Sequence, residues 1–221
     1  KFLGSDLSGS NLESANLRKS IFLEANLSKC NLNEADLSNA DFSKANLNQS
    51  SIVESNLTRA RFNGANMEST DFTDSRLNMS VFFEANFKNA TMNRTLVKGA
   101  KLAGGIFENT SLPRADITGA DLTDAKFLKS NLSRAKLNGA ILRRTDLRGS
   151  DLSEADLSIA DLTGASLTEV KLIGANMERI KLNQAKISEA KLCGAKMKKG
   201  KLFQVDLTQA DLSGANMMGV D

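Results

Sequence analysis

The chain contains no histidine, no tryptophan and no tyrosine, and only one proline and two cysteines among its 221 residues. Without histidine it lacks the commonest general base and metal ligand of enzymes. No apolar run approaches the roughly 20 residues that a membrane-spanning helix needs, and no signal-peptide pattern opens the chain. The charge is nearly balanced, with 29 Lys and Arg against 26 Asp and Glu. That excludes a uniformly acidic or uniformly basic molecule. The chain opens at Lys1 already inside a repeat, so we expect a segment excised from a longer protein, with its targeting information outside it.

What is present is one short pattern copied throughout. Every fifth residue from Phe2 to Met217, 44 sites in all, is Leu, Phe, Met, Ile or Val. Two residues before each next large site lies a small one, from Ser5 to Val220, which is Ala in 24 cases and otherwise mostly Ser or Thr. None of the charged residues falls on either site, so both point inward, since an unpaired charge in a dry core costs several kcal/mol. The residue just before the large one is Asp or Asn in 23 of 44 units, and 13 of the 15 glycines follow the large one by two. A corner after each large residue explains both preferences, because Gly tolerates positive φ and Asp or Asn bonds neighbouring backbone.

A period of five suits neither helix nor strand. The phenylalanines supply the longer period. Phe2, Phe22, Phe42, Phe62 and Phe82 are spaced by 20, as are Phe87, Phe107 and Phe127, and Phe72 stands apart. Offset rings stack favourably, so four units complete one turn of a coil. The expected fold is therefore all-β, a parallel β-helix (solenoid) of about 11 four-sided coils of 20 residues, in a single domain over residues 1–221. At the usual interstrand rise of about 4.8 Å the rod is roughly 50 Å long. On this scheme Cys30 and Cys193 lie eight coils apart, far beyond the Cα separation of about 7 Å that a disulfide allows. Free thiols fit a reducing, cytoplasmic compartment.

The repeats ADLSGA, ANLSKC, ADLTGA and ADLSEA resemble those of the pentapeptide-repeat family, over essentially the whole chain. The resemblance implies a right-handed quadrilateral β-helix. It says little about function, because similar repeats occur in topoisomerase-protecting DNA mimics, in secreted effectors and in many cyanobacterial proteins. Fold does not imply function.

The outward residues sort by side. The side holding Leu17 and Leu37 has a net charge of +6, from ten cations and four acids. The side holding Leu12 and Leu32 is net −3 and carries a column at spacing 20 in which Arg94, Arg114 and Arg134 are flanked by Glu34, Glu54 and Asp74 before and Glu154 after. Flanking acids with solvent screening, or an anion held by the three arginines, would relieve their mutual repulsion. Lys181, Lys186, Lys191, Lys196 and Lys201 replace the usual Asp or Asn in five successive units and belt one coil with positive charge, either solvated or in contact with an acidic partner. Leu3, Ile21, Leu23, Val81, Phe83 and Ile141 point outward on one side and suggest an apolar patch near the amino end. From Thr95 to Pro113 the pattern is least regular, and a kink or a change of coil width is expected.

No catalytic, cofactor or metal site is expected, and the chain is not expected to be an enzyme. The candidate role is a rigid scaffold that binds another protein. The alternatives are a topoisomerase-binding DNA mimic, which the net positive charge opposes, and binding of nucleic acid or an anionic membrane through the basic side. End-to-end self-association through open strand edges is a further expectation.

Overall fold

The computed structural model describes residues 1–221 as a coil that repeats in register without a break. Parallel bridges join residue i to residue i+20 from Asp6↔Asn26 to Lys196↔Asn216, four to every 20 residues. The coil is thus four-sided, as the phenylalanine spacing predicts. The β-structure is finer than an ordinary sheet, because each side contributes one bridged residue between two turns and no extended strand forms.

Five backbone amides per unit explain how so short a side holds. In the unit around Phe22, the large residue donates to Asp41 O in the next coil and Glu24 donates to Ser43 O. Ala25 closes the turn by donating to Phe22 O, and Asn26 donates back to Ser5 O in the previous coil. The fifth amide, on the first turn residue, has no backbone acceptor. Here the Asp or Asn before the large residue acts: in all 23 units that carry one, its Oδ1 accepts from that amide, as Asn26 does from Ser28 at 3.2 Å. Where that residue is missing, an Asn one coil earlier substitutes at Val53, Phe83, Lys98 and Phe203. The Asn side chains also bond one another, Asn26 to Asp6, Asn46 to Asn26, Asn66 to Asn46 and Asn86 to Asn66, as one amide ladder.

The second turn residue has positive φ in every unit. Thirteen of these residues are Gly and 31 are not. An L-residue there costs about 1–2 kcal/mol, offset by its ladder hydrogen bond. Ile159, at φ 53, is the one β-branched residue so placed.

Inside, the large residues form four columns that are fully buried except in the terminal coils. Phe2 through Phe82 stack with centroids 4.8–4.9 Å apart, and Phe87, Phe107 and Phe127 stack at 4.3–4.6 Å. Phe72 is not isolated. It meets Phe87 at 6.1 Å, and Phe87 meets Phe82 at 5.2 Å, both tilted by 56°. These contacts run across the coil interior between sides, which a period of 20 along one side does not reveal.

The small columns show why their exceptions are tolerated. Buried Ser and Thr hydroxyls of these columns donate to the carbonyl of a large residue 23 positions earlier, as Ser50 does to Leu27 O and Thr110 to Phe87 O, except Thr95, which donates to Met92 O. No buried side-chain polar atom lacks a partner. Gly105 is required because a Cβ there would lie 2.8 Å from the Phe107 ring. Ile180 fills a small site, and Gly200, one coil later, makes room: a Cβ on Gly200 would meet Leu202 at 3.0 Å and Ile180 at 3.4 Å.

The expected kink at Thr95–Pro113 is absent. Bridges Thr91↔Ser111, Leu96↔Asp116 and Lys101↔Asp121 keep the register. Pro113 occupies the first turn position, whose amide makes no backbone bond in any unit, so the missing donor costs no ladder bond.

The Asp residues at the turns give the fold an acid limit. Burial pushes the Asp116 and Asp161 carboxyls up, but the neighbouring threonine hydroxyl, the Lys98 or Arg143 cation and the turn amide together hold both below the ordinary range. The Thr208 hydroxyl and amide lower Asp206, and the Cys193 thiol and Ser213 take Asp211 to about 2. Depressed carboxylate values stabilise the folded state above the unfolded pKa of about 4, and the stabilisation is lost as pH falls through the folded values. Thermal melts should therefore hold steady above about pH 5 and decline below about pH 4; a melting temperature unchanged down to about pH 2 would contradict the turn assignment. Leu132→Asp, placing a charge in the buried column, should cost more than about 3 kcal/mol and unfold neighbouring coils with it. Ile159→Gly should raise stability by about 0.5–1 kcal/mol, the left-handed penalty less the entropy cost of Gly, and an unchanged or lower melting temperature would count against strain there.

Candidate interaction surfaces

With two positions per unit inward, recognition falls to the bridge residue and the two turn residues. Each recurs every 20 residues on the same side, so outward side chains form columns along the rod. The register brings Arg94, Arg114 and Arg134 together in one such column, as the sequence predicts. Side chains one coil apart then decide their pairing. Arg94 Nε donates to Asp74 Oδ1 at 2.7 Å and its Nη2 to Asp74 Oδ2. Arg134 Nε and Nη2 donate to the two oxygens of Glu154, each at 3.0 Å. Hydrogen bonding to these guanidiniums holds the Asp74 and Glu154 carboxyls below their usual range. The middle residue, Arg114, is exposed and makes no ion pair. The ladder is thus two closed pairs around one free guanidinium, at an open depression of about 430 Å³ lined also by Asn93, Ser133 and Ser153.

The lysine belt lies as expected. Lys181, Lys186, Lys191, Lys196 and Lys201 are all exposed. Lys181 bridges to Lys201 and Lys171 to Lys191, so cations also stand directly above one another. No ion pair involves any cation beyond Lys171.

The apolar patch divides. Ile21, Leu23 and Val81 are half-buried against their own columns, whereas Leu3 and Phe83 are exposed. Ile21 and Leu23 lie three coils from Val81 and Phe83, and Asp41, Ser43, Arg61 and Asn63 fill the intervening positions of the same columns. Two small groups replace the single expected patch, because residues on one side are separated by whole coils. Met79, Ile159, Ile173 and Met218 are also exposed, each alone at a turn position outside the apolar runs IFL and VFF of the sequence. Their place in the five-residue unit is the signal that identifies them.

Cys30 is buried and Cys193 is partly exposed, both as free thiols. No group of three His, Cys, Asp or Glu side chains converges as a metal would require.

No curated protein sequence matches the chain. Among solved structures it is similar to HetL, a pentapeptide repeat protein involved in heterocyst differentiation regulation in the cyanobacterium Nostoc, at 30% identity and a TM-score of 0.55, with 86% of this chain and 88% of that one covered. A trypsin-treated variant of QnrB1, a plasmid-mediated fluoroquinolone resistance protein, shares the fold at 19% identity and the same TM-score of 0.55, over 98% of this chain and 89% of the other. The family model for pentapeptide repeats matches residues 5–43, 92–127, 130–168 and 160–198, and that for a pentapeptide repeat region matches 25–102. The chain therefore belongs to the pentapeptide repeat family, whose members fold as right-handed quadrilateral β-helices.

Proposed function

We propose that the chain is a non-enzymatic scaffold, a rigid rod of about 11 four-sided coils that binds another protein along one or two of its sides. One observation carries the reading: both inward positions of all 44 units keep to large or small uncharged residues, while the outward ones carry every charge in the chain. A coil built this way fixes its backbone through the inward residues and the turn bonds. Apart from the Asp and Asn that cap the turns, its outward columns then vary without disturbing the core, as a recognition surface requires. The surface depressions are open and lined chiefly by charged and polar residues, unlike the pockets of hydrophobic and aromatic side chains that hold small substrates. The near-balanced charge and the unpaired lysine belt argue against mimicry of DNA. The free thiols fit action in a reducing, cytoplasmic compartment.

The unpaired Arg114 favours a specific contact on this scaffold. Its two neighbours are neutralised by carboxylates of the chain, so an acidic side chain of the partner would supply what Arg114 lacks and accept a two-bond pair. Arg114→Gln should leave the melting temperature unchanged or slightly higher, because it removes a cation between two others, and should weaken partner capture from extract. Phe83→Ser tests the apolar group in the same assay. Capture unchanged by either substitution would refute the assigned surfaces, and a lower melting temperature in Arg114→Gln would assign that residue to the fold.

A further inference from the structure

The lysine belt forgoes a turn bond that 23 of the 44 units keep. At Lys181, Lys186, Lys191, Lys196 and Lys201, five successive units forgo the Asp or Asn that would cap the turn amide. Of the five amides released, only that of Phe203 finds another acceptor, Asn183 Oδ1 at 3.1 Å. Stability of the coil does not account for these lysines.

Their chemistry is also distinct. Where this chain holds a carboxylate through two bonds it uses arginine, at Arg94, Arg134, Arg143, Arg144 and Arg148. Its lysine pairs are looser, at 3.2–3.9 Å. The belt is lysine throughout. Lysine is a compact, strongly hydrated point charge suited to a diffuse negative surface rather than to a directed carboxylate.

The charge concentrates at one corner. Lys196, Lys198, Lys199 and Lys201 turn from one side of the rod to the next, with Lys181 bridged to Lys201 and Arg179 one coil before Lys199. The acids among them are Glu178, one coil before Lys198, and Asp221, one coil beyond Lys201. Two large apolar side chains stand out beside these cations: Met218, 59% exposed, at the same corner one coil beyond Lys198, and Phe203, 66% exposed, at the next turn, two residues past Lys201. A phosphate backbone has no use for such apolar tips, and single-stranded nucleic acid calls for several stacking aromatics. Protein interfaces are depleted of lysine. Clustered lysines beside protruding apolar groups match an anionic lipid surface, where the cations face headgroup phosphates and the apolar tips enter the interface.

We propose that the corner formed by Arg179, Lys181, Lys196, Lys198, Lys199 and Lys201, with Phe203 and Met218, docks the rod reversibly on an anionic membrane surface. No helix is long and apolar enough to cross a membrane, and the contact proposed is peripheral. It does not depend on the protein-partner reading.

The test is sedimentation of the full chain with vesicles of phosphatidylserine in phosphatidylcholine, against vesicles of phosphatidylcholine alone. The chain should bind the first, release as salt rises, and ignore the second. Each lysine removed should lower partitioning about fivefold, so the variant carrying Lys196→Gln, Lys198→Gln, Lys199→Gln and Lys201→Gln should lose more than about a hundredfold with its melting temperature kept. Phe203→Ser with Met218→Ser should bind several-fold more weakly and keep the salt dependence. Equal binding to both vesicles, undiminished binding by the four-lysine variant, or binding of duplex DNA without binding of phosphatidylserine vesicles would overturn the proposal. If the four-lysine variant loses vesicles but still captures a protein partner through Arg114, the two surfaces act separately. Loss of protein capture with vesicle binding kept would assign these lysines to the protein partner and overturn the membrane proposal.

Discussion

Every corner of the rod depends on one backbone residue held in the left-handed region, and 31 of the 44 such residues are not glycine. No isolated turn would keep them there, since each costs on the order of 1 kcal/mol. In every coil but the last, the amide of that same residue donates to the next coil, as Glu24 does to Ser43 O at 3.0 Å. The strain at one level is thus offset by a hydrogen bond at the level above. No coil is self-sufficient, and stacking is a condition of the local conformation as well as a source of burial. The stacked phenylalanines, the amide ladder from Asp6 to Asn86 and the buried hydroxyl bonds repeat this coupling in other chemistries.

Much of this was legible in the residues. The five-residue period identifies the inward sites because exclusion of charge from a dry core is nearly absolute, and the 20-residue spacing of Phe2 to Phe82 counts the sides because equal rings stack best in register. The turn role of Asp and Asn follows from their reach to a neighbouring amide. Other features were hidden for physical reasons. The left-handed position is marked by Gly in only 13 units, and Lys, Glu, Arg and even Ile159 occupy it elsewhere. Pro113 reads as a disruption until the geometry shows that its amide position is unused by the backbone. Phe72 reads as solitary because its contact with Phe87 crosses the interior.

The candidate surfaces were legible as columns but not as pairings. Sequence spacing places Arg94, Arg114 and Arg134 one above another. Which acid each arginine reaches depends on how its side chain lies along the rod, and Arg94 turns to Asp74 behind it while Arg134 turns to Glu154 ahead. The unpaired middle residue emerges only from those opposite choices. The lysine belt needed the reverse step: its positions were plain, but their meaning appeared once the turn bond that lysine cannot make was known.

The separation between a five-residue core and a 20-residue surface also bears on how such a chain changes length. Loss of one unit leaves every inward site correctly filled, yet it rotates all later residues by a quarter turn about the axis. If the lost unit lies between them, Arg114 and Arg134 face different directions, and a binding column is scrambled without any sign in the packing. Loss of four units shortens the rod and keeps every column whole. Evolution of the interior can therefore proceed by single units, whereas inheritance of a surface proceeds by whole coils.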